Sequence, residues 1–261
     1  MGLFDLAALI QRGAFPRGLS VCSICQAWPA QAICSACIER FAQPLARCPI
    51  CALPGFAHPC PSCCASPPAW DQALCAVDYS FPWDACVARL KFTGDSASAA
   101  DLAHVMHHAP GVEPALEWAD AVLPMPLSRE RLRERGFNQA LELARHLSPG
   151  KTIRDALLRI RHTPTQASLP RAERLGNLIG TMVVHPAHAN ALHRRRVVLI
   201  DDVMTTGSSL QTAALALRQV GVQHITAVVF ARTDTPPLAP DTVRSSVADN
   251  PHHVSHRLGS P

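Results

Sequence analysis

The sequence predicts an α/β domain with a mostly parallel sheet, preceded by a small module that is rich in cysteine. Eight of the 11 cysteines fall in C-x-x-C pairs within the first quarter of the 261 residues, whereas the later chain alternates apolar runs with amphipathic segments. Val197–Ile200 is a continuous β-branched and apolar run, which is typical of a buried parallel strand. This alternation of strands and helices predicts a parallel sheet with helices on both faces.

The composition divides the chain into three parts. A stretch with Pro and Ser at residues 65–72 separates the cysteine-rich part, residues 1–70, from the α/β part, residues 71–232. The first part begins with an apolar patch that predicts a short amphipathic helix, packed on the protein itself or docked on a partner. Residues 233–261 are rich in Pro, Ser and His without an apolar period, so we expect a disordered tail.

Hydrophobic periodicity predicts the order of elements in the α/β part. Short apolar runs predict strands at Ala73–Tyr79, Ala121–Met125, Ala156–Ile160, Met182–Val184, Val197–Ile200 and Ile225–Phe230. Apolar residues at helical spacing predict helices at Trp83–Phe92, Ala97–His108, Phe137–Leu147 and Ser208–Gln219. The second strand, the Pro-rich turn after it and the third helix form one β-loop-α unit.

The cysteine-rich part repeats one spacing twice. The pattern C-x2-C-x8-C-x2-C is formed first by Cys22, Cys25, Cys34 and Cys37, and then by Cys48, Cys51, Cys60 and Cys63. Each C-x-x-C pair can point two sulfurs at one ion, and two pairs complete the four-thiolate shell that zinc prefers in structural sites. We therefore predict one or two structural zinc ions. The sequential grouping puts the first four cysteines on one ion and the last four on another, and an interleaved grouping or a single occupied site is the alternative. An iron-sulfur cluster or redox C-x-x-C chemistry is the alternative.

Charge, hydropathy and cysteine use exclude several classes of protein. The formal net charge of +4 is modest for a nucleic-acid-binding domain, so charge does not indicate such a partner. The N-terminal segment has no basic lead, and no apolar run reaches the roughly 18 residues of a membrane span, so we expect neither a secretory signal nor a membrane helix. C-x-x-C pairs without a secretory signal favour metal in a reducing compartment, which predicts a cytoplasmic protein.

The stretch VVLIDDVMTTGSSL, residues 197–210, indicates chemistry most strongly. A strand that leads into a helix N-terminus presents unpaired backbone N–H groups, which suit a phosphate. In the TTGSS loop, residues 205–209, Gly207 allows a positive φ and the hydroxyls can donate further hydrogen bonds. Asp201 and Asp202, predicted at the carboxyl end of the strand, suit a ribose diol with Mg²⁺.

The sequence thus predicts a site for a phosphorylated sugar. A helix that is merely capped by the TTGSS loop, with two solvated acids before it, is the alternative. A Walker-type nucleotide loop is excluded, because the ending G-K-[ST] is missing.

Residues 197–210 resemble the signature with which type I phosphoribosyltransferases bind 5-phosphoribosyl diphosphate (PRPP). The segments AVLPMPLSRERLRERGFNQALELARHL (121–147) and RIRHTPTQASLPRAERLGNLIGTMVV (159–184) resemble the corresponding blocks of the ComF family of competence-associated proteins. LKFTGD (90–95) and the doubled cysteine pattern are similar to the same family. The resemblance covers residues 20–232, and it implies a sheet of phosphoribosyltransferase type after a double zinc ribbon.

The resemblance also implies roles for individual residues. Asp201 and Asp202 would hold the ribose hydroxyls. Arg131 and Arg135 would neutralise diphosphate and complete the catalytic set. The phosphoribosyl ligand, with Mg²⁺, would be bound by Met204, Thr205, Thr206, Gly207, Ser208, Ser209, Arg161 and Gln166, of which the last two lie in a mobile loop over the site. Asn138 either caps a helix or faces the ligand.

These residues are compatible with two functions of different class. The first is a phosphoribosyltransferase or PRPP-binding protein that is linked to DNA uptake and natural transformation, with an acceptor and a turnover that the sequence leaves open. The second is a non-catalytic zinc-ribbon module that handles single-stranded DNA, or contacts the competence machinery, during transformation. Few aromatic residues are available for base stacking, which weakens the second. A purine or pyrimidine salvage enzyme is a third, weaker option, since such enzymes rarely carry this zinc module.

Overall fold

The computed structural model describes residues 20–28, 30, 32–92, 96–160 and 181–234. The cysteines of the repeated pattern and the whole stretch 197–210 lie within these ranges. The predicted N-terminal helix, nearly all of the predicted tail, and Arg161 and Gln166 lie outside the described residues.

The central sheet is formed by four parallel strands. In chain order these are β1 (Gln72–Asp78), β2 (Ala121–Pro124), β5 (Arg196–Met204) and β6 (His224–Arg232). Their spatial order is β1-β6-β5-β2, so the two longest strands lie in the centre. Two short strands, β3 (Leu157–Arg159) and β4 (Met182–Val184), pair antiparallel in a separate sheet.

Helices surround this sheet. Within the described residues they are α1 (Ser35–Phe41), α2 (Pro61–Ala65), α3 (Trp83–Phe92), α4 (Ser96–His108), α5 (Val112–Trp118), α6 (Arg129–Arg135), α7 (Gln139–Leu147), α8 (Pro186–Leu192) and α9 (Ser208–Gln219). None of the helices in the described part of the chain is long and apolar enough to cross a membrane.

Alternating residues of β5 lie in two different cores. Val198 and Ile200 pack on one face with buried residues of α3, α4 and α7. Val197 and Leu199 pack on the other face with buried residues of α9 and of the β3–β4 pair. This is the two-residue period of a strand that is covered on both sides. The predicted parallel sheet with helices on both faces is therefore confirmed.

Two details of the sheet differ from the sequence prediction. Strand β5 continues to Met204, because Asp201, Val203 and Met204 still pair with β6, so the two acids lie within the strand and not after it. Strands β3 and β4, for which the sequence predicted no partner strand, form an antiparallel pair outside the main sheet. A strand's length and its partner depend on register with distant residues, which local periodicity does not reveal.

The sequence prediction missed five short helices, namely α1, α2, α5, α6 and α8, none longer than seven residues. Helix α6 has the sequence RERLRER and no buried residue, so it has no apolar stripe to detect. The residues at its two ends are nevertheless those that usually begin and end a helix. The Ser128 hydroxyl accepts from the backbone N–H of Arg131, and Gly136 follows the helix with φ +76°.

The two halves of the cysteine-rich part pack at different places. Cys22 and Cys37 of the first half join the core that contains α3 and α4. The Trp83 indole donates to the Phe41 carbonyl oxygen, 2.9 Å away, and so ties α3 to this half. The second half has a small core of its own, made by its four cysteines and Leu53 with Ile50 and Phe56 packed against them.

Candidate functional site

A cavity of about 320 Å³ opens at the carboxyl ends of the parallel strands, next to the TTGSS loop. It is lined by Tyr79, Lys91, Met125, Pro126, Leu127, Arg131, Arg135, Asn138, Gln139, Ala140, Arg159, Asp201, Asp202, Val203, Thr205, Ser209 and Thr233. This is the edge at which open parallel sheets bind their ligands. The lining includes two carboxylates and several cationic side chains, so it suits a ligand that carries both hydroxyl and anionic groups.

The two acids form a tight local cluster with one lysine. Asp201 Oδ1 accepts from the backbone N–H of Asp202 at 2.9 Å, and Asp202 Oδ1 accepts from that of Val203 at 2.8 Å. Asp202 Oδ2 lies 3.2 Å from Lys91 Nζ. Burial and the neighbouring Asp202 carboxylate raise the pKa of Asp201. A carboxyl pair of this kind gains from a cation or from a donor such as a sugar diol.

The TTGSS loop forms a hollow of about 70 Å³ beside Asp201. Gly207 has φ +75° and stands as the N-cap of α9, as the positive-φ prediction requires. The hydroxyl oxygens of Thr206 and Ser208 are 2.7 Å apart. Within the described chain, no acceptor takes the backbone N–H groups of Thr206, Gly207 and Ser209. Unpaired N–H groups at a helix N-terminus make a site for a phosphate.

Cationic and donor groups face the cavity from two other elements. Arg131 and Arg135 come from α6, and Arg159 comes from β3. Burial, and to a smaller extent the nearby Arg131, lower the pKa of Arg159. Arg159 Nε and the Gln139 Nε2 group are buried without a hydrogen-bond partner among the described residues. Unsatisfied buried donors beside clustered cations point to an anionic ligand with several oxygens.

The structure brings most of the predicted site residues together. Asp201, Asp202, Arg131, Arg135, Thr205 and Ser209 line the larger cavity, and Thr206, Gly207 and Ser208 line the hollow in the loop. Met204 also borders that hollow, but only 2% of it is exposed, and it belongs to the core.

Asn138 fulfils the first of its two alternatives, and its place in the cavity lining is compatible with the second. Its side-chain oxygen accepts from the N–H of Ala140 and Leu141, so it caps α7 while it lines the cavity.

Sequence reasoning missed several residues that line the site, among them Lys91, Arg159 and Tyr79. Lys91 belongs to the LKFTGD segment, which was noted only as a family block. Arg159 stands two positions before Arg161, which was chosen instead. Each of these two basic residues stands within a segment that resembles the family, and this was the available signal. Whether such a side chain points into the site depends on the fold.

The cysteines group into two sets, as the sequential grouping predicts. We call Cys22, Cys25, Cys34 and Cys37 the first cysteine cluster, and Cys48, Cys51, Cys60 and Cys63 the second cysteine cluster. In each cluster all four sulfurs lie within 4.8 Å of one another. Three sulfur–sulfur distances are 3.8, 3.6 and 3.7 Å. Tetrahedral zinc with Zn–S bonds of about 2.3 Å places its sulfurs about 3.8 Å apart, so both clusters could hold zinc.

The thiols of each cluster differ in acidity. Burial would raise the pKa of Cys22, but donated backbone N–H groups, first that of Cys25, lower it to about 6. Burial and the other thiols raise the pKa of Cys37. In the second cluster the pKa of Cys48 is lowered to about 7, whereas burial raises that of Cys51 to about 11. Close thiols thus oppose full ionisation, and a divalent cation would remove that opposition.

A parallel sheet that carries paired acids and an amide-lined loop at its carboxyl edge defines a domain of phosphoribosyltransferase type. Accordingly, the family model of the phosphoribosyl transferase domain matches residues 134–256. Competence protein F of Haemophilus influenzae is 33% identical over 65% of this chain and 76% of its own length. The DNA utilization protein YhgH of Salmonella typhimurium is 32% identical over 77% of this chain and 90% of its own length. The chain belongs to the ComF family.

Among solved structures, a purine phosphoribosyltransferase from Pyrococcus horikoshii Ot3 is similar to this chain. It is 18% identical, and the alignment covers 56% of this chain and 92% of that chain with a TM-score of 0.30. This similarity is weak, and the family assignment comes from the sequence relatives.

Proposed function

We propose that this protein binds PRPP, or a closely related 5-phosphoribosyl ligand, together with Mg²⁺ in the cavity at the sheet edge. One observation carries the proposal: the paired acids, the amide-lined loop and three arginines line two pockets that share Asp201, Val203, Thr205 and Ser209. A sugar diol, a 5-phosphate and a diphosphate each require different binding groups in a protein, and PRPP contains all three. No single one of these groups would explain the whole lining.

Each part of the ligand has a matching part of the site. Asp201 and Asp202 accept from the two ribose hydroxyls. The backbone N–H groups and hydroxyls of the TTGSS loop bind the 5-phosphate. Arg131 and Arg159 neutralise the diphosphate, to which the Gln139 amide adds a donor. Mg²⁺ would supply charge neutralisation between the diphosphate and the sugar hydroxyls, near the same acids.

The chemistry that this arrangement supports is transfer of the phosphoribosyl group. The bond from the anomeric carbon to diphosphate breaks, its electron pair leaves with the diphosphate, and a nucleophilic atom of an acceptor bonds to the carbon. The residues of this chain contribute position and charge: the acids and the loop fix the sugar, and the arginines stabilise the leaving group. The acceptor would enter beside Tyr79, which lines the cavity and is 39% exposed.

The setting of this activity is DNA uptake in the cytoplasm. The named relatives are a competence protein and a DNA utilization protein, which supports a link to natural transformation. Each cysteine cluster holds one structural zinc ion, which supplies folding energy to a part of the chain that has little apolar core of its own.

Calorimetric titration of the zinc-loaded full chain with PRPP and Mg²⁺ tests the proposal. PRPP should bind more tightly than ribose 5-phosphate or diphosphate alone, because only PRPP contacts the acids, the loop and the arginines together. The double variant Asp201→Asn, Asp202→Asn should lose PRPP binding and keep its circular dichroism spectrum. Folded wild-type protein that does not bind PRPP, or a double variant with unchanged affinity, would overturn the assignment.

The same titration with single-stranded DNA at two salt concentrations tests the second function. A protein that binds DNA with a steep salt dependence and ignores PRPP would be the DNA-handling module and not a PRPP-binding protein. We expect the opposite order of affinities, because the donors of the cavity converge on one small anionic ligand.

A further inference from the structure

Arg232 joins the second cysteine cluster to the TTGSS loop. It ends β6, and it is fully buried, at 0% exposure. Its Nε donates to the Cys51 carbonyl oxygen at 3.0 Å. Its Nη1 donates to the carbonyl oxygens of Met204 and Thr205, at 3.2 and 2.6 Å. A buried guanidinium group is costly without its acceptors, so these bonds hold the three carbonyl groups in place.

These bonds also determine where the loop amides point. In a planar trans peptide the C=O and the following N–H point in opposite directions. Arg232 holds the carbonyl oxygens of Met204 and Thr205 on its own side, so the N–H groups of Thr205 and Thr206 point away from it. Both of these residues line the hollow that we assign to the 5-phosphate. Arg232 therefore helps to fix the orientation of these two peptide groups beside the hollow, although it does not line the hollow itself.

Trp70 makes a second connection between the same two regions. Its indole Nε1 donates to the Ile50 carbonyl oxygen at 2.5 Å, inside the C-x-x-C turn of Cys48 and Cys51. The far edge of its ring lies 3.0 Å from where a Cβ on Gly207 would stand. Trp70 thus packs directly against the back of the TTGSS loop and fixes it at the glycine.

We propose that the second cysteine cluster, when it holds its metal, sets the conformation of the TTGSS loop through Arg232 and Trp70, which act as positioning residues for the ligand phosphate. This inference rests on the proposed function, since the ligand is PRPP. The first cysteine cluster has no matching connection among the described residues. There, the indole of Trp83 donates to Phe41 and its ring packs on Phe230, in the core of the opposite face of the sheet.

The connection has a reciprocal consequence. If metal at the second cluster tightens PRPP binding, then PRPP must tighten metal binding at that cluster by the same factor. PRPP should not change the affinity of the first cluster for its metal.

Two tryptophan variants form a matched pair that tests the inference in the zinc-loaded full chain. Trp70→Phe removes the indole donor and the ring edge beside Gly207, and Trp83→Phe removes the equivalent donor to the first half. Loss of one hydrogen bond and its packing predicts PRPP affinity about fivefold weaker in Trp70→Phe. Trp83→Phe should stay near the wild-type value. Arg232→Met should lose more affinity than Arg218→Met, and Arg232→Lys should restore part of it.

Arg218 is the comparison for Arg232, because it also donates to several carbonyl groups, those of Ala69, Val222 and Gln223, without contacting the loop or a cluster. It also binds Asp71, so it holds both neighbours of Trp70, and its loss should cost some affinity but less than the loss of Arg232. Hydrogen exchange of the peptide that contains residues 203–210 reports on the loop without any ligand. It should rise in Trp70→Phe and after chelation of zinc, and it should not change in Trp83→Phe.

The third measurement is equilibrium competition for zinc with a chelator. PRPP should raise the affinity for one of the two zinc ions, and Trp70→Phe should remove this effect. Equal losses in Trp70→Phe and Trp83→Phe, or unchanged loop exchange after chelation, would overturn the inference. If wild-type protein failed to bind PRPP, the proposed function would fail, but the exchange experiment would still decide whether the cluster controls the loop.

Discussion

The two cysteine clusters have the same spacing and the same local geometry, but different neighbours. In the first, the Cys34 N–H donates to Cys22 Sγ at 3.4 Å; in the second, the Cys60 N–H donates to Cys48 Sγ at 3.2 Å. The first has one exposed cysteine, Cys25, whereas all four cysteines of the second are buried.

This difference shows that the spacing of the cysteines determines how four sulfurs come together. It does not determine which part of the domain the cluster packs against. Cys22 and Cys37 pack into a shared core with the helices on one face of the sheet. The second cluster forms a separate small core, but its C-x-x-C turn accepts hydrogen bonds from Trp70 and Arg232. Two copies of one motif therefore serve different parts of the same domain: one packs with the helical layer, and the other is linked to the TTGSS loop through Trp70 and Arg232.

The largest effect is expected from removing the same ligand in each cluster. Cys34→Ser and Cys60→Ser should each lose one zinc ion per chain, because structural zinc contributes on the order of 10 kcal/mol to such modules. Only Cys60→Ser should also weaken PRPP binding, by about 10- to 100-fold, the usual range of coupling between sites. Metal analysis and calorimetry check both statements.

Equal PRPP affinities of Cys34→Ser and Cys60→Ser would contradict the difference between the clusters. Protein that retained both zinc ions in either variant would contradict the four-cysteine grouping. Limited proteolysis shows whether each variant keeps the α/β domain folded, which is needed to read the PRPP result.

A smaller effect is expected at the glycine that Trp70 covers. Gly207→Ala requires a side chain at φ +75°, and it places a Cβ 3.0 Å from the Trp70 ring. Gly136→Ala requires nearly the same backbone, φ +76°, with nothing within 4 Å of the new Cβ. We expect a loss of about 2–3 kcal/mol in unfolding free energy for Gly207→Ala and about 1 kcal/mol for Gly136→Ala. Urea denaturation measures both, and equal losses would show that Trp70 does not confine the loop.

The smallest effect compares Asp201, which lies within β5, with Asp120, which precedes β2 and binds Arg196 at the start of β5. The pKa of Asp201 is raised, so its contribution to stability is present below the unfolded pKa of about 4 and is lost as pH rises through the folded pKa. Asp201→Asn should therefore stabilise the ligand-free fold near pH 7, while it weakens PRPP binding.

Asp120 is the control with the opposite sign. Its side chain accepts from the Arg196 side chain and backbone, and these bonds lower its pKa. Its contribution is present above the unfolded pKa and is lost as pH falls toward the lowered folded value. Asp120→Asn should thus destabilise the protein near pH 7. Thermal unfolding between pH 4 and pH 8 measures both variants, and shifts of the same sign would contradict the assigned pKa directions.

Much of the fold could be predicted from the sequence. The helix bounds Trp83–Phe92 and Ser208–Gln219 and the strand Met182–Val184 agree with the structure. Each is a long periodic segment or a compact apolar run, so its local pattern is enough. Helix α6 was missed because it buries none of its residues, and the pairing of β3 with β4 was missed because pairing joins segments that are far apart.

The part of the candidate site that is formed by consecutive residues could be predicted from the sequence. Asp201, Asp202 and the TTGSS loop are consecutive in the chain, and the structure places them around connected cavities. Lys91 and Arg159 were missed, since each comes from an element distant in sequence. Only the packing of α3 and β3 against the sheet edge turns these two side chains toward the acids.

The sequence alone determined the repeated C-x-x-C spacing, the strand-loop-helix stretch and the glycine with positive φ, because spacing and backbone preference act over a few residues. Only the tertiary structure decided how the cysteines group and which cluster is linked to the TTGSS loop through Arg232 and Trp70. Arg232 reaches Cys51 across 181 positions of the chain, and Trp70 meets Gly207 through side-chain packing. Such contacts depend on the relative placement of whole strands and helices, which a local sequence pattern does not reveal.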